Sequence, residues 1–139
     1  MKTQLQFDTR KWSAKLKKIS GQIDKEVEQA VAVATRNTSA AAKSFVTVDK
    51  AGLKQSIRAV TKGKTGEVKV GASYGPYVEY GTGTKVIVPN ELKEYAMQFK
   101  GKGIRQVNLS ARPFLYPAYF IHRVKFIDDC KRRLNKLIA

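Results

Sequence analysis

The residues of this chain that could do chemistry are few and widely separated. Its one cysteine, Cys130, and its one histidine, His122, are eight positions apart, about two helical turns. A thiol beside an imidazole is the makings of a cysteine nucleophile, but both fall in one helical stretch and His122 has a basic neighbour. Cys130 reads instead as a small buried apolar side chain. One cysteine excludes an internal disulfide, and structural zinc wants four Cys or His ligands that the chain lacks. Gly81-Thr82-Gly83-Thr84-Lys85 is a phosphate loop only on the surface, because its spacing is wrong. Glu79 is a candidate general base, weighed against a carboxylate held in an ion pair or hydrogen-bonded to turn amides. The expectation is a protein that is not an enzyme and has neither cofactor nor metal.

Glu79 sits in the stretch around which the chain is organised, Tyr74-Gly75-Pro76-Tyr77-Val78-Glu79-Tyr80-Gly81-Thr82-Gly83. Gly75 and Pro76 set a turn, and Gly81 and Gly83 free the backbone again, so residues 77–80 are short, aromatic and clamped. A second stretch bounded by prolines, Arg112-Pro113-Phe114-Leu115-Tyr116-Pro117-Ala118, carries one charge of opposite sign. Either charge alone is costly to desolvate. Glu79 and Arg112 are therefore expected to pair, within the subunit or across an interface, shielded by Phe114 and Tyr77. Tyr74, Tyr77, Tyr80, Phe114, Tyr116, Tyr119 and Phe120 have the rings to stack on bases, but their proline context points to packing or subunit contact.

The elements that must hold these stretches follow from periodicity. Apolar residues at Trp12, Leu16, Ile19, Ile23, Val27, Val31, Ala34, Thr38, Ala41 and Phe45 trace one face of a long helix. Asp8 or Thr9 can cap its start after an extended lead-in with Leu5 and Phe7. Gly21 marks a bend or a break, at roughly 1 kcal/mol relative to alanine. A helix this long exceeds what the chain needs to cover its own core. Either it bends over a sheet, or part of its stripe packs on another subunit. Beyond it the pattern predicts a turn over 47–52 and a strand over 53–60, with Leu53, Gln55, Ile57 and Ala59 on one face. A connection at 62–66 leads to a return strand over 67–72. A strand over 84–88 stops at Pro89, Asn90 caps a helix over 91–99, and 104–109 alternates as a strand able to pair with 84–88. Residues 83–110 thus form a basic excursion, either a surface loop or an arm reaching for a partner or channel. The final helix opens at Pro117, with Phe120, Val124, Ile127, Cys130, Leu134 and Leu137 as its stripe.

Composition bounds the rest. The length suits one domain, residues 1–139, and an apolar fraction of 42% argues for a folded chain. No apolar run approaches the roughly 20 residues of a membrane span, and the start lacks a signal-peptide core. A soluble, cytoplasmically made protein without a membrane partner is expected. Against 11 acidic residues stand 27 lysines and arginines, a net charge of +16 spread along the chain. Such a field suits a polyanion held without reading its sequence, DNA or RNA, although any single lysine reads equally as solvated surface.

Three segments resemble the head–tail joining (neck or tail-completion) proteins of long-tailed bacteriophages. Val48-Asp49-Lys50-Ala51-Gly52-Leu53-Lys54-Gln55-Ser56-Ile57 is similar to that family's turn and strand, and Tyr77-Val78-Glu79-Tyr80-Gly81-Thr82 to its Glu-aromatic-Gly-Thr signature. Arg112-Pro113-Phe114-Leu115-Tyr116-Pro117-Ala118 is similar to the motif before its last helix. The likeness covers residues 10–139. Ala51 stands where the family has glycine, and Thr47 where it has proline. The resemblance implies an α+β fold, with the N- and C-terminal helices packed on a small, mainly antiparallel sheet, and a non-enzymatic virion protein. It further implies a homo-oligomeric ring between head and tail, assembled in the host cytoplasm, with other connector and tail proteins as neighbours and phage DNA passing through. On this reading Tyr77, Glu79, Tyr80, Arg112 and Phe114 make oligomer or partner contacts, and Lys85, Lys100, Lys102 and Arg105 face DNA. The alternative is a small sequence-independent nucleic-acid-binding protein acting as monomer or dimer.

Overall fold

The spacing that begins at Trp12 produces one unbroken helix, α1 (Arg10–Phe45), of 36 residues. At 1.5 Å per residue it is about 54 Å long. The computed structural model describes residues 9–47, 50–99 and 108–139. After α1 come α2 (Ala51–Ser56), β1 (Ile57–Lys62), β2 (Thr65–Val70), α3 (Gly75–Tyr80), α4 (Lys93–Met97) and α5 (Leu115–Ile138). The architecture is the expected α+β one, with long N- and C-terminal helices and a small antiparallel sheet.

α1 uses two faces of its C-terminal half. On one side α5 runs antiparallel to it: Ala118 packs in the core with Ala42, while Arg133 reaches Glu26 at 2.9 Å and Gln29 at 3.2 Å. Ala30, Ala42 and Ala118 are buried completely or nearly so, and such small side chains let the two helices approach closely. On the other side lies the β1–β2 hairpin. Gly66 of β2 comes so near that an added Cβ would stand 1.9 Å from Thr35 Oγ1 and 3.0 Å from Val31 Cγ1. Thr35 and Thr38 are buried without penalty, because their hydroxyls donate back to the carbonyls of Val31 and Ala34. The core proper gathers Ala42, Val46, Leu53, Ile57, Phe114 and Ala118 at the end of α1.

The hairpin pairs Ile57 with Val70, Ala59 with Val68 and Thr61 with Gly66, so these six share the face toward α1. Gly63, at φ 55, opens the two-residue turn. Strand pairing begins later than the sequence suggests. Residues 53–56, predicted as strand, are helical together with 51–52 of the predicted turn, and Leu53 and Ile57 are buried one helical turn apart, whereas Gln55 and Ala59 are exposed. Good helix formers at Ala51, Leu53, Lys54 and Gln55 outweigh a short alternation. Of the 47–52 turn, Val48 and Asp49 lie outside the described residues, and the Lys50 amide donates to Thr47 O across them.

Three further expectations change. Residues 84–88 are not a strand; a 3-10 turn, Gly83–Lys85, is followed by extended backbone. The predicted 91–99 helix is a 3-10 turn, Asn90–Leu92, and then the short α4. α5 starts at Leu115, two residues before Pro117, and the expected stripe is only partly covered: Phe120, Val124 and Ile127 are exposed and Cys130, Leu134 and Leu137 half-buried, while Ala118 is its buried residue. The apolar count along a helix does not reveal which of two apolar faces a neighbour will cover. Of the strand predicted at 104–109, residues 104–107 lie outside the described residues. Asp8, the other candidate cap, does too, and Thr9 caps α1 by position without a side-chain hydrogen bond.

Gly66→Ala is expected to destabilise the protein by about 1–3 kcal/mol in urea unfolding, through overpacking on α1. Thr35→Ala in the same chain should return part of that loss, since it removes the atom met first. Gly21 has no atom within 4 Å of an added Cβ. Gly21→Ala should therefore raise stability by roughly 0.5–1 kcal/mol in the same assay.

Candidate functional site

The two motif stretches meet, and a single side chain joins them. Pro76 in the first turn of α3 has the fixed φ a helix start favours, and Gly81, at φ 77, ends the helix where few other residues would go. This short helix aims Glu79 at the first turn of α5. Its carboxylate accepts three backbone N–H bonds: from Phe114 and Leu115 to Oε2 at 2.8 and 2.9 Å, and from Tyr116 to Oε1 at 2.9 Å. These are the amides that a helix start leaves without intrahelical partners, at the positive end of the helix dipole. Glu79 is only 5% exposed, so the bonds are formed away from water.

Backbone bonds zip the strips together on either side. Arg112 N donates to Val78 O at 2.8 Å and Thr82 N to Leu109 O at 2.9 Å, and Leu109 N donates to Thr82 Oγ1 at 2.9 Å. Asn108 Oδ1 accepts from Thr84 N at 3.1 Å. Gly81 lies at the crossing: a Cβ there would stand 2.6–2.8 Å from Lys85 O, Leu109 O and Ala111 N. The Glu79–Arg112 ion pair expected from sequence is absent from the subunit. Three amides take up the carboxylate, which leaves no desolvated charge for a guanidinium to offset, and the Arg112 side chain is exposed. The other reading of Glu79, a carboxylate bonded to backbone amides, is the one that forms.

The proposed contact residues divide by burial. Phe114, at 2% exposure, is in the core, and Glu79 and Tyr80 are buried beside it, whereas Tyr77 is half-buried and Arg112 exposed. Burial, with Glu79 and Tyr95 nearby, pushes the Tyr80 hydroxyl up to about 12. Of the proposed DNA-facing residues, Lys85 is exposed on its 3-10 turn, and Lys100, Lys102 and Arg105 lie outside the described residues. Arg58, Lys62 and Lys69 share the outer face of the hairpin, a basic patch that sequence reasoning missed; their alternation with inward residues was its signal.

His122 and Cys130 do not form an activated pair. Burial raises the thiol's pKa, and burial with Lys125 nearby lowers that of the imidazole. His122 lines a groove of about 250 Å³ between α1 and α5, together with Lys125, Phe126 and Asp129. Arg133 and Arg132 bond to Asp129 there and hold its carboxyl below the usual range. Among the described residues no three His, Cys, Asp or Glu side chains cluster as a metal site, and no helix is long and apolar enough to cross a membrane.

The model of the family described as "Bacteriophage HK97-gp10, putative tail-component" matches residues 10–81, more than half of the chain. The chain belongs to this HK97-gp10-like family. The match opens at the first residue of α1 and closes at Gly81, so it spans α1, α2, the hairpin and α3. The Glu79 clasp therefore ties the part matched by the HK97-gp10-like model to α5 beyond it. No curated protein and no solved structure matches the chain.

Glu79→Gln should cost about 1–3 kcal/mol in urea unfolding, since an amide keeps one acceptor and turns a donor toward the helix amides. Arg112→Ala should stay within about 0.5 kcal/mol of the parent. The raised Tyr80 pKa gives a second test. Its contribution to stability is complete below pH 10, where tyrosine in the unfolded chain is protonated, and is lost as pH rises toward 12. Tyr80→Phe should flatten that alkaline loss in urea midpoints measured from pH 9 to 11.5.

Proposed function

We propose that this member of the HK97-gp10-like family is a head–tail joining protein of a phage particle, forming one domain over residues 1–139. It assembles as a homo-oligomeric ring between the portal or connector of the head and the tail, and the genome passes through the ring. One observation carries the reading beyond family membership: Phe120, Val124 and Ile127 lie exposed in a row on α5, at helical spacing. Such a stripe is costly in water and suits a neighbouring subunit. Tyr77 and Arg112 flank the clasp on the outside and extend this contact surface, with Glu79, Tyr80 and Phe114 beneath fixing their positions.

The net charge of +16 per copy supports a lumen that holds DNA by its phosphates alone. Lys85, Lys100, Lys102 and Arg105, on the arm of residues 83–110, are assigned to that lumen. Other connector and tail proteins cover the two faces of the ring, which is assembled in the host cytoplasm and resides in the virion.

The same charge favours a second reading, a sequence-independent nucleic-acid binder working as monomer or dimer. Light-scattering mass after size exclusion separates the two. The ring reading expects a discrete multiple of 15.5 kDa without DNA, better populated at high salt, where repulsion between basic copies is screened. Phe120→Ser with Val124→Ser should return it to the monomer. A monomer that shifts only on duplex DNA, and loses the shift in salt, would establish the second reading instead.

A further inference from the structure

Residues 10–18, at the start of α1, are exposed. Arg133 of α5 lies against Glu26 and Gln29, and α5 ends at Ile138, so its last turn reaches about residue 21 of α1. Residues 10–20 project beyond it by about 16 Å at 1.5 Å per residue. Trp12 and Leu16 are 68% and 61% exposed there, and Ile19 is half-buried. The stripe is narrow, one residue per turn at steps of four and three. Ala30 and Ala34, which line the groove against α5, continue it on the same side of α1. It is the seat of a packed helix, prolonged past the helix that occupies its other end.

The charged residues around this seat are all basic. Arg10, Lys11, Lys15, Lys17 and Lys18 stand within residues 10–20, and no acidic residue does. The four lysines form no ion pair among the described residues, whereas Asp24 and Glu26 further along α1 are bound by Lys64 and Arg133. Another copy of the chain is a poor occupant, since its own exposed stripe on α5 is bordered by Arg123 and Lys131. Duplex DNA would take the cations but leave Leu16 and Ile19 in water, and neither is a platform for bases. A membrane surface wants a broad apolar face rather than a single seam.

We infer that residues 10–20 of α1 are a docking prong for a partner protein, and that the segment which covers them is an amphipathic helix with an apolar stripe between acidic flanks. The prong holds that helix as an antiparallel or parallel pair, with leucine-like side chains on Trp12, Leu16 and Ile19 and carboxylates toward Lys11, Lys15 and Lys18. The inference rests on the proposed place among other virion proteins but not on ring closure.

Trp12 is the chain's one tryptophan, so its fluorescence reports the prong alone. The full chain is titrated with a synthetic helical peptide whose leucine stripe is flanked by glutamates. The same peptide with lysines in their place, duplex DNA and phosphatidylglycerol vesicles are titrated in parallel, and the mass of each sample is recorded. The expected result is a blue shift with the glutamate peptide, weakened by salt and at least about tenfold weaker in Leu16→Glu, which loses one buried leucine contact. Lys15→Glu with Lys18→Glu should transfer the preference to the lysine peptide. Circular dichroism confirms that both exposed variants fold. Equal response to the two peptides, a shift only with DNA or vesicles, or no shift at all would overturn the inference. Because mass is read in the same tubes, failure of the ring and failure of the prong are seen separately.

Discussion

The structure depends on one buried carboxylate at the start of a helix. A helix start buried in a protein leaves amides that water cannot reach, and α5 must start inside the core because Phe114 and Ala118 are core residues. Glu79 supplies acceptors for three of those amides from a position 35 residues earlier. The bonds work only if α3 is held at the right distance, and Gly81 provides this by letting two backbones cross almost in contact. The clasp, the crossing glycine and the start of α5 are thus one unit. It brings the C-terminal helix onto the fold formed by α1, α2, the hairpin and α3.

Once α5 is anchored at that end, antiparallel packing decides how α1 is used. Its C-terminal half is sandwiched between α5 and the hairpin, with alanines and hydrogen-bonded threonines where the neighbours come closest. Its first third outruns α5. The long apolar stripe therefore does two jobs, core along one part of its length and free surface along the other. The helix is unbroken through Gly21, so the excess length is projected rather than folded back over the sheet.

Charge is distributed with the same division. The acids of α1 and α5 are largely consumed by internal pairs: Asp24 with Lys64, Glu26 and Asp129 with Arg133. Exposed cations also stand on the outer face of the hairpin and along the projecting end of α1. A protein of the HK97-gp10-like family with this arrangement meets its surroundings as a strongly cationic body carrying two exposed apolar seams, one on each long helix.

Several things were legible in the sequence alone. Steps of three and four over ten positions specified α1, because a 3.6-residue period sustained that long has no other reading. Glycine, proline and aromatic clustering marked the two stretches that meet, and an isolated carboxylate in an apolar setting announced that it needed donors. What only the tertiary structure decided was the identity of those donors and the direction of the faces. Backbone amides carry no signature in the sequence, so Arg112, the visible opposite charge, was the natural but wrong partner for Glu79 within the subunit. The first half of the strand expected at 53–60 is helical for a similar reason, since Leu53 and Ile57 share a face in either period and burial resolved the choice in favour of a helical turn, while 57–60 pair in β1. On α5 the packing of Ala118 against Ala42 set the rotation of the helix, and it left Phe120, Val124 and Ile127 of the apolar stripe facing outward. Periodicity finds a face; only a neighbour in space says whether that face is covered.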